Sequence, residues 1–213
     1  MKGYITIGKC KIHSKAHICN GAVIGKPYRK LLDGTFEKTE KTIISDGAYI
    51  GYYAIIGTGS NILKGSIIDD NCIIESRVFI DEKSLIIYNS QICNDVRIGK
   101  KCVIGGFIGE RTLIGNNCRI FGKIVHSQHD PSLPWDDDES TEESAIIKDY
   151  VFIGFNSLII GGITIGEKAY VCAGSIISKD VPDKHVAFGI NQIKLFSKWK
   201  GGLKNSSFFK ERN

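Results

Sequence analysis

From Ile44 to Ile104 every sixth residue is isoleucine, eleven positions in succession: Ile44, Ile50, Ile56, Ile62, Ile68, Ile74, Ile80, Ile86, Ile92, Ile98 and Ile104. A helix repeats its apolar face every 3.6 residues and a half-buried strand every 2, so neither fixes one residue type at intervals of six. Four residues beyond each isoleucine the side chain is usually small: Ala48, Ala54, Ser60, Ser66, Cys72, Val78, Ser84, Ser90, Val96 and Cys102. One step beyond the isoleucine, glycine or a short polar residue recurs, as at Gly51, Gly57, Asp69, Asp81 and Gly99. This pattern predicts an all-β solenoid of very short strands, each turn burying its face on the next.

The repeat continues in both directions. Ile12, Ile18 and Ile24 hold the spacing upstream, with Ala16 and Ala22 in the small positions. Downstream the phase slips by two residues after Ile104 and resumes at Ile108, Ile114 and Ile120. It breaks again after Ile124 and restarts at Ile147, Ile153, Ile159, Ile165, Val171 and Ile177. Three hexads make one triangular coil, so these positions predict between seven and eight coils, a prism roughly 35 Å tall at about 4.8 Å per stacked strand. The expected organisation is one solenoid domain over residues 1–182, with excursions at 26–42 and 126–145, and a basic, aromatic tail over 183–213.

The 213 residues, 42% of them apolar, suffice for a continuous core. No run of 18 apolar residues is present, which speaks against membrane insertion, and the N-terminus lacks the apolar stretch of a signal peptide. A cytoplasmic location is the expectation. Seven cysteines suggest a framework until they are set on the repeat. Cys72, Cys102 and Cys118 fall in the small slot, while Cys19, Cys93 and Cys172 fall one step after the apolar slot. With no CxxC pair and an odd count, they read as space-filling thiols rather than metal ligands or disulfides. The net charge of +5 favours a phosphate-bearing ligand. Lys194, Lys198, Lys200, Lys204, Lys210 and Arg212 in the tail, interleaved with Phe196, Trp199, Phe208 and Phe209, would steer one. No recognised nucleic-acid module accompanies them.

Function concentrates where a rigid scaffold throws out a loop. The first excursion is basic and carries Tyr28 and Phe36. The second opens with His126 and His129 directly after the strand ending at Val125, is stiffened by Pro131 and Pro134, and runs into Asp136, Asp137, Asp138 and Glu139. Two histidines at the root of a proline-braced loop are candidate general bases. The acidic run reads as a solvated face.

The hexads match the [Leu/Ile/Val]-[Gly/Ala/Asp/Glu]-x-x-[small]-x pattern, and the stretch Ile153 to Gly166 resembles the signature of the left-handed β-helix acyltransferases. Ala173-Gly174-Ser175-Ile176-Ile177-Ser178-Lys179-Asp180-Val181-Pro182 is similar to the ending found in acetyl-CoA-dependent sugar O- and N-acetyltransferases, among them galactoside, maltose and xenobiotic acetyltransferases. The resemblance covers nearly the whole chain. It implies a left-handed parallel β-helix, a homotrimer, and acetyl-CoA bound between adjacent prisms. It implies coenzyme contacts at Ala173 and Gly174 for the pantetheine arm and at Ser178 and Lys179 near the nucleotide end. Two departures stand out: Phe188-Gly189-Ile190-Asn191-Gln192 replaces the family's usual Ala-Gly-[Val/Asn]-Pro-Ala, and two histidines occupy a loop that commonly carries one.

The chemistry follows from the residues. A thioester is already activated, so acyl transfer needs no metal. It needs a proton acceptor for the attacking hydroxyl or amine, which a neutral imidazole supplies. His129, fixed by Asp130-Pro131, is favoured over His126. No Gly-x-Ser-x-Gly or Cys-His constellation is present, so direct transfer in a ternary complex is expected. The acceptor class is a sugar, amino or hydroxyl, on a nucleotide-linked or polysaccharide precursor. Two other classes fit less well. A γ-class carbonic anhydrase-like enzyme would need three converging histidines, and an ice-binding or scaffold β-helix would need an ordered Thr-x-Thr face.

Overall fold

The structure, a computed structural model, describes residues 3–28, 35–126 and 143–201. Among them, 27 strands of two to four residues stack into three sheets of nine, eight and ten strands, here sheets A, B and C. The chain visits A, B and C in turn, so each strand up to Ile176–Ile177 pairs with the one three places before it. This is the solenoid expected from the hexads, and the left-handed parallel β-helix that the family resemblance implied. Register is strict: Ile56, Ile74, Ile92 and Ile108 are successive partners in sheet A. Their side chains are fully buried, as are Ile62, Ile80 and Ile86 on the other walls. Isoleucine suits the position because a β-branched side chain fills a pleated, stacked wall in one favoured rotamer.

The small slot is small because the chain turns a corner there. Three serines in the slot bond the coil above: Ser60 Oγ donates to the Glu75 carbonyl at 2.8 Å, Ser66 to Asp81 at 2.8 Å and Ser84 to Gly99 at 2.7 Å. Ser90 and Ser157 bond back to the Ile87 and Gly154 carbonyls of their own corners at 2.5 and 2.6 Å. Cysteine at Cys72, Cys102 and Cys118 fills the same buried slot, and all seven thiols are free. The residue ahead of the small slot is left-handed at nearly every corner, with Asn71, Asn89, Asn117 and Asn156 at φ of 56–58°. Asparagine is the non-glycine residue most at ease there. A hydrogen bond to the coil below offsets the residual strain, as from Asn71 N–H to the Tyr52 carbonyl at 2.9 Å.

Eight coils are complete, and a ninth begins. The sheet A strand of the first coil escapes a count of isoleucines because Thr6 occupies its slot, in register with Ile24. Sheet C runs past residue 182: His185–Phe188 pairs in parallel with Tyr170–Val171, then turns back into the antiparallel strand Gln192–Leu195. The 3-10 turn Phe196–Lys198 follows. Phe196 is buried with Tyr170 and Val186, against which Phe152 and Trp199 pack. The described start of the tail is therefore part of the body. No helix among the described residues is long and apolar enough to cross a membrane.

Candidate active site

Both excursions leave from the same corner. The first departs after Val23–Lys26 in sheet A and returns at Thr42–Ile44 in sheet B; the second departs after Lys123–Val125 in sheet A and returns at Ile146–Ile147 in sheet B. Four sheet A strands separate the two exits, roughly 24 Å along the prism at about 4.8 Å per strand. The corner between them is built from Glu75, Cys93, Asn94, Glu110 and, at the second exit, His126.

The first excursion is latched upward onto this corner. Glu37 N–H donates to the Tyr28 carbonyl at 2.8 Å. The Glu37 carboxylate accepts from Ser76 Oγ at 2.5 Å and from the Arg77 guanidinium. Arg77 in turn makes a two-pronged pair with Asp95, both contacts 2.8 Å, the fork geometry that arginine favours. The latch lays Tyr28 close to Glu75 and Cys93, where its hydroxyl is buried without a hydrogen-bond partner. Glu75 accepts from Gln91 Nε2 at 2.8 Å and from Asn94 N–H at 3.1 Å, and Asn94 reaches Glu110 at 3.2 Å. Burial and the neighbouring Glu110 carboxylate push the Glu75 carboxyl up. Burial, then Glu75 and Glu110, push the Cys93 thiol far above the ordinary thiol range. Cys93 is therefore held protonated, the opposite of what a nucleophilic cysteine needs.

His126 is half-buried at the end of its strand. One coil below, Gly109 leaves the room it needs: a Cβ there would stand 3.0 Å from the Ile124 carbonyl and 3.6 Å from His126 N. The returning chain clamps the same corner, with Ser144 Oγ donating to the Glu110 carbonyl at 2.6 Å. His129 lies outside the described residues.

On the opposite edge of the same sheet A strands, the corner from C to A is shortened twice in succession. Ile104 to Ile108 and Ile120 to Ile124 each span four residues where the other corners span six. The two short corners, Gly105-Gly106 and Phe121-Gly122, cut a notch two coils high. Gly106 at its base is exposed, and a Cβ there, at φ +100°, would sit 2.5 Å from the Gly122 carbonyl oxygen; Gly105 and Gly122 are buried, with the Ile87 and Phe121 side chains against Gly105. Phe121 and Phe155, stacked with centroids 4.5 Å apart at 11°, close it above; Ile87 and Tyr88 lie below. The slip after Ile104 was legible in the sequence. The second was masked because Ile124 reads as the last isoleucine before a loop.

Two coils above the notch, at the same edge, are Ala173 and Gly174. Both are exposed, and nothing lies within 4 Å of where a Gly174 Cβ would be. Across the sheet A strand Ile176–Ile177, Ser178 and Lys179 occupy the corner above His126. Ser178 is already engaged: its N–H donates to Asn191 Oδ1 at 2.8 Å and its Oγ accepts from Asn191 Nδ2 at 3.0 Å. The departure at 188–192 thus places a left-handed Asn191 over Ser178. Lys179 is exposed, as is Lys123 on the outer face of sheet A. The described site residues therefore ring the upper half of one face, with His126 on one edge, the notch and Ala173-Gly174 on the other, and Ser178-Lys179 at the top. Among the described residues no three of His, Cys, Asp and Glu converge as a metal site. His13 and His17 lie in the first coil and His185 in the last, far from His126.

Residues 145–179 match the profile described as the hexapeptide repeat of succinyl-transferase. The bifunctional protein GlmU of Listeria monocytogenes is 28% identical over 201 residues, covering 84% of this chain and 43% of its own. That of Shouchella clausii is 29% identical over 176 residues, covering 68% of this chain and 39% of its own. The chain thus spans less than half the length of these relatives. Among solved structures, the UDP-N-acetylglucosamine O-acyltransferase of Moraxella catarrhalis aligns with a TM-score of 0.46 and 18% identity, over 89% of this chain and 72% of that one.

Proposed function

We propose that this chain, a member of the hexapeptide-repeat acyltransferase family, moves an acetyl group from acetyl-CoA to an amino or hydroxyl group of a sugar on a nucleotide-linked or polysaccharide precursor. The observation that carries the reading is the convergence on one face: a histidine at a loop root, a notch of two short corners across the same two strands, and an open Ala173-Gly174 corner above it. The pantetheine arm has exposed main chain to lie against at Ala173-Gly174. Lys179 and Lys123 present charge to phosphate. With Ser178 engaged by Asn191, the nucleotide end relies on Lys179.

In the reaction the acceptor's oxygen or nitrogen attacks the thioester carbonyl, the carbon–sulfur bond breaks, and coenzyme A leaves as the thiol. The acceptor's proton passes to a loop histidine, His129 or His126, a contribution of about 10²–10⁴-fold. Main-chain N–H groups are the natural donors to the oxyanion, other than those of Gly105, Gly106 and Gly174, which are already bonded to Ile120, Ser90 and Phe155. The raised Cys93 thiol favours direct transfer over an acyl-enzyme. By family resemblance the working form is a homotrimer, a cyclic assembly that closes the coenzyme groove with a neighbour's wall.

The test is coenzyme A thiol release with a panel of sugars and nucleotide sugars. His129→Asn should cut kcat by about 10² or more and leave acetyl-CoA binding intact, with His126→Asn costing less. The pH dependence of kcat/KM that a histidine base imposes should vanish in the mutant of the true base. No thiol release with any acceptor would sink the assignment. Near-full activity in both mutants would instead point to an amine that arrives uncharged and needs no protein base.

A further inference from the structure

The edge that carries the notch also carries a row of exposed aromatic rings. At the six-residue corners of this edge a left-handed residue donates its N–H to the carbonyl of the residue just before its counterpart one coil below. Asn71 donates to Tyr52 at 2.9 Å, Asn89 to Asp70 at 3.1 Å and Gly174 to Phe155 at 2.9 Å. Those bonds put Tyr52, Asp70, Tyr88 and Phe155 at one and the same point of the coil, on a line parallel to the prism axis. Tyr52 is 48% exposed, Tyr53 67%, Tyr88 62% and Phe155 62%. Tyr53 lies flat against Gly21, where a Cβ would come within 2.5 Å of its ring. By the interstrand spacing, Tyr52 and Tyr88 are roughly 10 Å apart and Tyr88 and Phe155 roughly 14 Å apart. The notch opens between the latter two.

Scattered single apolar residues on a surface are ordinary. Rings repeated in register along one edge, leading into a notch of two short corners, are a different arrangement. They do not form the contiguous apolar patch that a protein partner or a second copy would bury, because exposed Asn71, Asn89 and Asn156 and the carboxylates of Asp69 and Asp70 stand between them. Aromatic faces alternating with amides and carboxylates suit a ligand with its own alternation of apolar faces and hydroxyl rims. A pyranose has one apolar C–H face, which an aromatic ring's negative face attracts, and a rim of hydroxyls for amides and carboxylates. A ligand long enough to meet several coils must itself repeat. Asp69 and Asp70 repel a polyanion, which disfavours nucleic acid and acidic polymers.

We propose that this edge is a track for an extended, uncharged or amino-bearing glycan chain, stacked on Tyr52 and Tyr88, whose terminal residue enters the notch below Phe155. The inference rests on the acyl-transfer reading and deepens it: the acceptor is an oligosaccharide rather than a free or nucleotide-linked monosaccharide. Tyr52 stands well below the notch, so its loss touches the chain's distal residues only.

Two measurements on the full-length protein separate the track from the activity. In the first, tyrosine resonances are followed while neutral and amino-sugar linear tetrasaccharides, and their monosaccharides, are titrated without acetyl-CoA. Shifts at Tyr52 and Tyr88 with tetrasaccharide and not with monosaccharide support the track; no shift with any tetrasaccharide overturns it. In the second, thiol release is measured over the same series. KM should fall about tenfold or more with chain length, and Tyr52→Ala should erase that gain while leaving monosaccharide turnover and the KM for acetyl-CoA unchanged. A chain-length gain that survives Tyr52→Ala overturns the track. So does a change in sedimentation of Tyr52→Ala, which would make the edge an interface between copies. Tetrasaccharide binding without thiol release would keep the track and refute the acyl-transfer reading instead.

Discussion

If the depth of the notch is imposed by main chain, the two adjacent glycines of its lower corner should respond to alanine in opposite ways. A Cβ on Gly105 meets Ile87 Cδ1 at 3.4 Å and Phe121 Cδ1 at 3.7 Å, ordinary van der Waals contact, and the residue is not in the positive-φ region. Gly105→Ala removes unfolded-chain freedom without native strain, so it should change stability by no more than about 1 kcal/mol, in either direction. A Cβ on Gly106 would stand 2.5 Å from the Gly122 carbonyl oxygen, from a φ of +100°, beyond the left-handed well that side chains tolerate. The neighbour is backbone and cannot rotate away. Strained φ costs about 1–3 kcal/mol and forced overpacking about 1–3 more, together about 2–6 kcal/mol. For a chain of this size each kcal/mol moves Tm by about 2–4 °C. Gly106→Ala should therefore lower Tm by about 5 °C or more, with Gly105→Ala within a few degrees of the parent. Thermal unfolding followed by circular dichroism reads both directly. Equal shifts for the two variants would refute the close main-chain approach at Gly106.

Lys179→Ala should raise KM for acetyl-CoA and leave kcat at saturation nearly unchanged, since contact with the distant nucleotide end is uniform binding; a fall in kcat at constant KM would remove the lysine from the coenzyme site. Glu37→Gln should loosen the latch on Ser76 and Arg77, and faster amide exchange at Glu37 with unchanged exchange in the sheet C strands is the expected signature. Stability should be alkali-sensitive. Burial raises the Cys72 thiol to about 11 from about 8.5 in the unfolded chain. The folded state thus holds its proton more tightly, so this contribution is present below about pH 8.5 and is lost as pH rises towards 11. Tm measured against pH should fall less steeply over that window in Cys72→Ala. Sedimentation at micromolar concentration should give a trimer, and a monomer would contradict the shared coenzyme groove.

The fold was legible because one residue type recurs at one interval, and a stacked solenoid is the arrangement that gives all those isoleucines the same environment. Each coil adds the same local problem and the same local solution, so the pattern needs no long-range knowledge to be read. What was not legible was everything that depends on counting corners rather than slots. Ile24 and Ile124 both belong to sheet A, which is why the two excursions share a corner. That follows from the hexad count only when both two-residue slips, after Ile104 and after Ile120, are entered in it. The notch arises from those same slips, where a missing pair of residues leaves glycine backbone in place of side chains. The latch of Glu37 on Arg77 and the engagement of Ser178 by Asn191 join residues 40 and 13 positions apart and obey no period at all. A repeat of six thus announces the wall, and its irregularities, read in phase, mark where ligands have room.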